Sequence, residues 1–296
     1  MRSLVERLGF EVGDRVAIVH ADDIGMCHAA NVGAFEALAG GPATCGSIMV
    51  PCPWFSEAAE RACAHPELDL GVHLTLTAEW ARYRWGPVSS ASAVPSLLDE
   101  QGVFPRTVAD VLLRAKSDEV ETELRAQIER ALESGIDVTH LDAHMGVAFL
   151  PPFVEIYARL CRDYQLPAFL VCLSERVLEL LGASDSAHVY DRVLDELAAD
   201  GIPILDGFDD DSLHFEPGRG EAHNRARLEN LPAGVSYLIC HPAQAGDELS
   251  AISTDGHMRD FERTFYGGEA GHRMLAELGI RTIGMRRLRD LVRTVG

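Results

Sequence analysis

The chain has 296 residues, 47% of them hydrophobic and 24% charged, enough to bury a core in one large α/β barrel or two modest domains. With 46 acidic against 26 basic side chains the net charge is −20, which argues against nucleic acid or an anionic membrane as partner, because both select clustered Lys and Arg. No apolar stretch is long enough to span a bilayer, and Met1–Asp14 lacks the apolar run and cleavage site of a signal peptide, so the expected location is the cytoplasm.

In chain order, a strand over Arg15–His20 runs into Ala21-Asp22-Asp23-Ile24-Gly25, followed by a helix over His28–Leu38 that stops at Gly40-Gly41-Pro42. A strand over Thr44–Val50, a helix over Phe55–Ala64 and a strand over Leu68–Leu76 come next. The segment 78–105 is aperiodic and carries Trp80, Tyr83 and Trp85, so it reads as a loop insertion. The spacing then predicts a helix over Asp118–Ser134, a strand over Val138–Asp142, a helix over Pro152–Tyr164, a strand over Ala168–Cys172 and a helix over Ala187–Ala199. The polar segment 206–230, with the acidic run Asp209–Asp211, reads as a second loop insertion. A strand over Val235–Cys240, a helix over Met258–Leu278, a strand over Arg281–Gly284 and a helix over Met285–Val292 complete the pattern. Alternating β and α units predict a parallel sheet with right-handed crossovers. Seven strands in a chain of this size predict one closed or nearly closed barrel spanning residues 1–296.

The seven cysteines are scattered without a CxxC pair, which indicates neither a disulfide framework nor a thiolate zinc site; Cys172 and Cys240 read as core. Chemistry points elsewhere. Four apolar runs carry or end in metal-capable side chains: His20 with Asp22 and Asp23; His73 in G-V-H-L-T-L-T; His140, Asp142 and His144 in T-H-L-D-A-H; and His241 before Pro242. In β/α folds the carboxyl ends of the strands converge on the active site, so four such positions are hard to explain as packing. Imidazole and carboxylate without thiolate suit a catalytic divalent cation with an open coordination position. Adjacent Asp22 and Asp23 cannot both face one point on a regular strand, and Gly25 supplies the freedom for a turn. His140 and His144 share a face on either a strand or a helix, and the sequence leaves that choice open.

The ordered set A-D-D-I-G, G-V-H-L-T-L-T, T-H-L-D-A-H and C-H-P, from Val16 to His241, resembles the YdjC-like carbohydrate deacetylases, the family of chitooligosaccharide deacetylase and the hopanoid-associated deacetylase. The resemblance implies a deformed (β/α) barrel similar to the polysaccharide deacetylases, and hydrolysis of an N-acetyl group from an amino sugar. It implies Asp23, His73 and His144 as metal ligands, Asp22 as general base, His241 as general acid, and His140 and Asp142 as groups orienting the ligands from behind. The cofactor is one divalent ion; zinc suits the donors best, with magnesium, manganese or cobalt as alternatives. The implied partner is a small acetylated carbohydrate and, at the level of the family alone, a second copy in a homodimer. After His144 the chain reads Met145-Gly146-Val147-Ala148 where relatives of the chitobiose enzyme carry a further histidine-rich run, which separates the reaction type from the substrate.

The competing readings are another metal-dependent amidase or phosphoesterase on the same barrel, or a non-catalytic sugar-binding protein. A two-metal phosphoesterase needs more bridging carboxylates. Trp80, Tyr83 and Trp85 read equally as substrate contacts or as anchors of their loop. Arg259 and Glu262 read as an exposed ion pair on their helix.

Overall fold

Strand β1 (Arg15–Ile24) is buried on both faces because layers of side chains cover it from either side, as expected of a parallel sheet. Its residues divide by parity. Ala17, Val19 and Ala21 join the large core between sheet and helices, while Val16 and Ile18 join a smaller cluster with Leu4, Val5, Leu8, Phe169 and Tyr237. His20 and Asp22 continue the Val16–Ile18 row toward the carboxyl end of the strand. The polar residues of this row therefore follow directly on an apolar plug.

The computed structural model describes residues 3–171 and 187–295. Around β1 stand β2 (Cys45–Ile48), β3 (Leu70–Leu74), β4 (Val138–Ala143), β5 (Gly207–Asp209), β6 (Gly234–Cys240) and β7 (Ile280–Thr282). They form one parallel sheet in the order β4-β3-β2-β1-β6-β5. One edge of β1 is covered by β6 from Arg15 to Ala21; the other is shared, with β7 on Arg15–Ala17 and β2 from His20 onward. Two single bridges, Leu141 to Ala168 and Val171 to Leu205, carry the chain across the gap between β4 and β5. The sheet is thus curled into a deformed α/β barrel, closed on that side by isolated bridges where a regular strand over Ala168–Cys172 is expected; Cys172 lies outside the described residues.

Other departures have local causes. The expected helix over Met258–Leu278 is two helices, Gly256–Tyr266 and Glu269–Glu277, interrupted at Gly267-Gly268. A Cβ on Gly267 would lie 2.4 Å from the Arg263 carbonyl oxygen, so the break is built for glycine. The segment 206–230 is no simple loop: it holds β5 and the helix Gly220–Glu229. Strand β5 has three residues with one large apolar side chain, too short for periodicity to detect. The segment 78–105 is irregular apart from a 3₁₀ turn at Pro95–Leu97. The cysteines among the described residues are free thiols, with Cys240 buried as expected. No helix among the described residues is long and apolar enough to cross a membrane.

Candidate active site

The adjacent carboxylates reach one site through a β-bulge. Ala21 pairs with Gly46 and Ile24 with Ile48, so Asp22 and Asp23 together oppose Ser47 alone. Asp23 takes the left-handed conformation at φ 64, and Gly25 follows at φ 90. The turn expected at Gly25 therefore begins at Asp23 itself. Gly46 is required beside it, since a Cβ there would lie 2.7 Å from the Ala21 carbonyl oxygen.

Asp23, His73 and His144 converge. Asp23 Oδ1 lies 3.7 Å from His73 Nε2 and 3.4 Å from His144 Nδ1, and the two nitrogens are 3.3 Å apart. Donor atoms on a tetrahedral zinc with bonds near 2.1 Å stand about 3.4 Å from one another, so the spacing fits a shared divalent ion. Asp23 Oδ1 is also a buried oxygen without a hydrogen-bond partner, an arrangement that costs energy unless a cation or proton meets it. The remaining nitrogens of both imidazoles face carboxylates: His73 Nδ1 is 2.8 Å from Asp142 Oδ1, and His144 Nε2 is 3.1 Å from Glu79 Oε2. Such carboxylate–histidine pairs fix the ring and its tautomer for metal binding. Ser47 Oγ bridges Asp142 Oδ2 and His73 Nδ1, at 3.0 Å from each. Strand β4 ends at Ala143, so His140 and Asp142 share a strand face and His144 opens the following 3₁₀ turn.

The charges follow from this packing. Burial raises the Asp23 carboxyl, but the Arg259 guanidinium, 2.8 Å from Oδ2, and His144 overcome that and hold it well below the usual range. Burial lowers His144, yet Glu79 and Asp23 carry it up to about 10; His73 is raised in the same way by Asp142 and Asp22. A divalent cation bound by Asp23, His73 and His144 would displace any proton from the ligating nitrogens.

Asp22 heads a second chain of polar groups. Its Oδ1 is 2.5 Å from His20 Nδ1, His20 Nε2 is 2.9 Å from His140 Nε2, and His140 Nδ1 is 2.9 Å from Thr139 Oγ1. The Thr139 hydroxyl donates to Asp69 or the Leu70 carbonyl, so His140 Nδ1 carries a proton, Nε2 accepts one from His20, and the bare His20 Nδ1 accepts from the protonated Asp22 carboxyl of the metal-free site. Burial lowers both imidazoles, His20 to about 4 and His140 to about 3, so both are neutral at pH 7. His140 thus stands behind Asp22, not behind His73 or His144. Burial raises the Asp22 carboxyl well above its usual range, as do the charges of Asp142 and Asp23. A cation held by Asp23, His73 and His144 would work in the opposite direction and favour the carboxylate.

On the far side, His241 Nε2 lies 4.0 Å from Asp22 Oδ2. Here the expectation of an exposed ion pair fails. Arg259 is buried on Asp23, and Glu262 is fully buried, where it accepts the His241 backbone N–H at 2.7 Å. The Gly256–Tyr266 helix places both side chains, three positions apart, toward the strand ends. Trp85 is 3% exposed, donates from Nε1 to the Thr77 carbonyl and packs near His144, so it anchors its loop. Tyr83 donates to the Met26 carbonyl, and Trp80 meets Trp85 edge to face. Sequence reasoning missed Ser47, Glu79, Ser212 and Tyr237, whose hydroxyl lies 2.9 Å from His20 Nδ1. Only Glu79 carried a signal, an acidic residue soon after the His73 motif.

Fold and site together define an α/β-barrel protein with a metal-capable Asp-His-His centre at its strand ends. A family model described as YdjC-like protein matches residues 16–277, and the chain belongs to that family. It is 38% identical over 250 residues to a carbohydrate deacetylase of Thermus thermophilus, covering 84% of this chain and 85% of that one. A carbohydrate deacetylase of Halalkalibacterium halodurans is 31% identical over 252 residues, 83% of this chain and 93% of the relative. Among solved structures, a candidate cellobiose-phosphate cleavage protein of Enterococcus faecalis V583 superposes with a TM-score of 0.74 at 25% identity, over 93% of this chain and 99% of that one.

Proposed function

We propose that this chain is a metal-dependent hydrolase that removes an N-acetyl group from an amino sugar or small glycan and releases acetate. The observation that carries the reading is the convergence of Asp23 Oδ1, His73 Nε2 and His144 Nδ1 with Asp22 and His241 beside them. A divalent cation on those three ligands, zinc by donor type, supplies Lewis acidity toward the acetyl carbonyl and an approaching water. Asp22 Oδ2, 3.8 Å from His73 Nε2, accepts the proton of that water as its oxygen bonds to the acetyl carbon. His241 Nε2, 4.0 Å from Asp22 Oδ2, takes up the proton that Asp22 has accepted and delivers it to the sugar nitrogen as the C–N bond breaks. Asp142 and Glu79 hold the two imidazoles, and Arg259 holds Asp23. The carbohydrate deacetylase relatives support the substrate class.

The test is acetate release from N-acetylglucosamine oligomers and other N-acetyl sugars by protein loaded with zinc, magnesium, manganese or cobalt, alongside elemental analysis. One metal ion per chain and acetate from at least one substrate are expected. Asp22→Asn should keep the metal and lose turnover. Full activity in that variant removes Asp22 as the base, and activity unchanged by exhaustive chelation removes the metal.

A further inference from the structure

His241 is held by groups that the proposed chemistry does not use. Ser212 Oγ lies 2.8 Å from His241 Nδ1, and 2.9 and 2.8 Å from the two carboxylate oxygens of Glu262. Glu262 Oε2 also accepts the backbone N–H of His241, and Oε1 lies 3.3 Å from Arg227 Nη1. Arg227 is itself buried, and its Nε donates to Asp209 at 2.6 Å. Ser212 and Glu262 are 3% and 0% exposed, so water does not compete for these bonds.

A hydroxyl has one proton to give. Glu262 meets N–H donors from His241 and Arg227, so it is an acceptor toward Ser212 as well. If the hydroxyl proton pointed at His241 instead, its lone pairs would face two carboxylate oxygens at hydrogen-bond distance with no proton between them. The proton of Ser212 therefore goes to Glu262, and its lone pair accepts a proton from His241 Nδ1. We infer that Ser212 and Glu262 hold His241 as its Nδ1–H tautomer, leaving Nε2, the nitrogen nearest Asp22, free to take up a proton and pass it to the leaving amine. Ser212 and Glu262 are positioning residues, because neither touches the reacting atoms. This inference rests on the reading of His241 as proton donor. It explains why a helix that follows the C-H-P motif reaches back to its histidine through both backbone and side chain.

The test uses the full, zinc-loaded chain, with ¹⁵N-labelled histidine for NMR and N-acetylglucosamine oligomers for turnover. In the wild type the His241 signals should report Nδ1 protonated and Nε2 bare at neutral pH. Ser212→Ala should lose that single tautomer, and kcat should fall about tenfold or more, a fraction of the 10²–10⁴ typical of general acid–base catalysis, with KM within about twofold. Ser212→Thr, which keeps the hydroxyl, should restore both. A wild-type His241 protonated at Nε2, or a Ser212→Ala variant with unchanged tautomer and kcat, overturns the inference. The NMR reading does not depend on turnover, so a wild type that releases no acetate refutes the deacetylase reading separately.

Discussion

Arg259 Nη1 lies 2.8 Å from Asp23 Oδ2, while Asp23 Oδ1 is the oxygen that meets His73 and His144. The guanidinium thus engages one carboxylate oxygen and leaves the other for a cation. Both partners are buried, so removing the arginine leaves an uncompensated charge, which typically costs about 3–5 kcal/mol. Arg259→Ala should lose stability of that order in chelator-treated protein. The loss should be smaller with zinc bound, because the ion supplies the missing positive charge. Urea unfolding with EDTA and with zinc measures both, and equal losses in the two conditions would show that Arg259 is not the counter-charge of Asp23.

That pair also marks the limit of what the sequence discloses. The barrel, most strand positions and the residues Asp22, Asp23, His73, His144 and His241 are legible because parallel strands are apolar runs and polar residues at their ends stand out. Arg259 and Glu262 are not, since a charged pair three positions apart on a helix looks the same whether it faces water or a strand end. Position on the barrel decides, and only tertiary packing sets it. Strand β5 and the single-bridge closure at Ala168 and Val171 escape for a different reason: they are too short to carry a period. The bulge at Asp22-Asp23 is half legible. Gly25 announces a turn, but an aspartate at φ 64 is chosen by the surrounding contacts and not by its own preference.

The buried pair His20 and His140 predicts an acid-sensitive fold. Their folded-state values, about 4 and about 3, lie below the usual 6.5, so the unfolded chain binds more protons between those limits. Stability contributed by the neutral imidazoles is complete above pH 6.5 and is lost as pH falls toward 4. The slope is about 1.4 kcal/mol per pH unit for each imidazole in that window, and the raised Asp22 carboxyl, which keeps in the fold a proton that the unfolded chain has lost, offsets one of the two. Denaturant unfolding of metal-free protein at half-unit steps from pH 7 to 4.5 tests this. A flat profile, or histidine NMR signals for this pair that titrate near 6.5, would contradict it.

Gly33 predicts a substitution with consequences at a distance. A Cβ there would lie 2.5 Å from Ala243 Cα and 2.7 Å from the Pro242 carbonyl oxygen, directly after His241. Alanine gains about 1 kcal/mol of helix propensity over glycine. Overlap with backbone atoms that cannot swing aside outweighs it, and overpacking of this kind costs about 1–3 kcal/mol. Gly33→Ala should therefore lower the melting temperature and reduce kcat through displacement of His241. Gly40→Ala, at the end of the same helix with open space around it, is the control and should leave both nearly unchanged. Wild-type behaviour in Gly33→Ala would mean that the helix and the His241 loop are not locked together.

Asp142 and Glu79 make the final prediction because each stands behind one of the two histidines proposed as ligands, at 2.8 Å from His73 Nδ1 and 3.1 Å from His144 Nε2. A carboxylate in that position orients the ring and increases the donor strength of the far nitrogen, and its loss usually weakens metal binding or activity about 10–100-fold. Asp142→Asn and Glu79→Gln keep the shape and remove the charge. Each should weaken zinc binding by roughly that factor in competition with a chromogenic chelator. The two losses should differ in their structural cost. Asp142 is buried and also receives Ser47 and Tyr237, so its variant should unfold at a lower denaturant concentration as well. Glu79 is partly exposed in the irregular segment after β3, so Glu79→Gln should weaken the metal with little effect on the fold. Unchanged zinc affinity in both variants would argue that His73 and His144 are not held as ligands from behind.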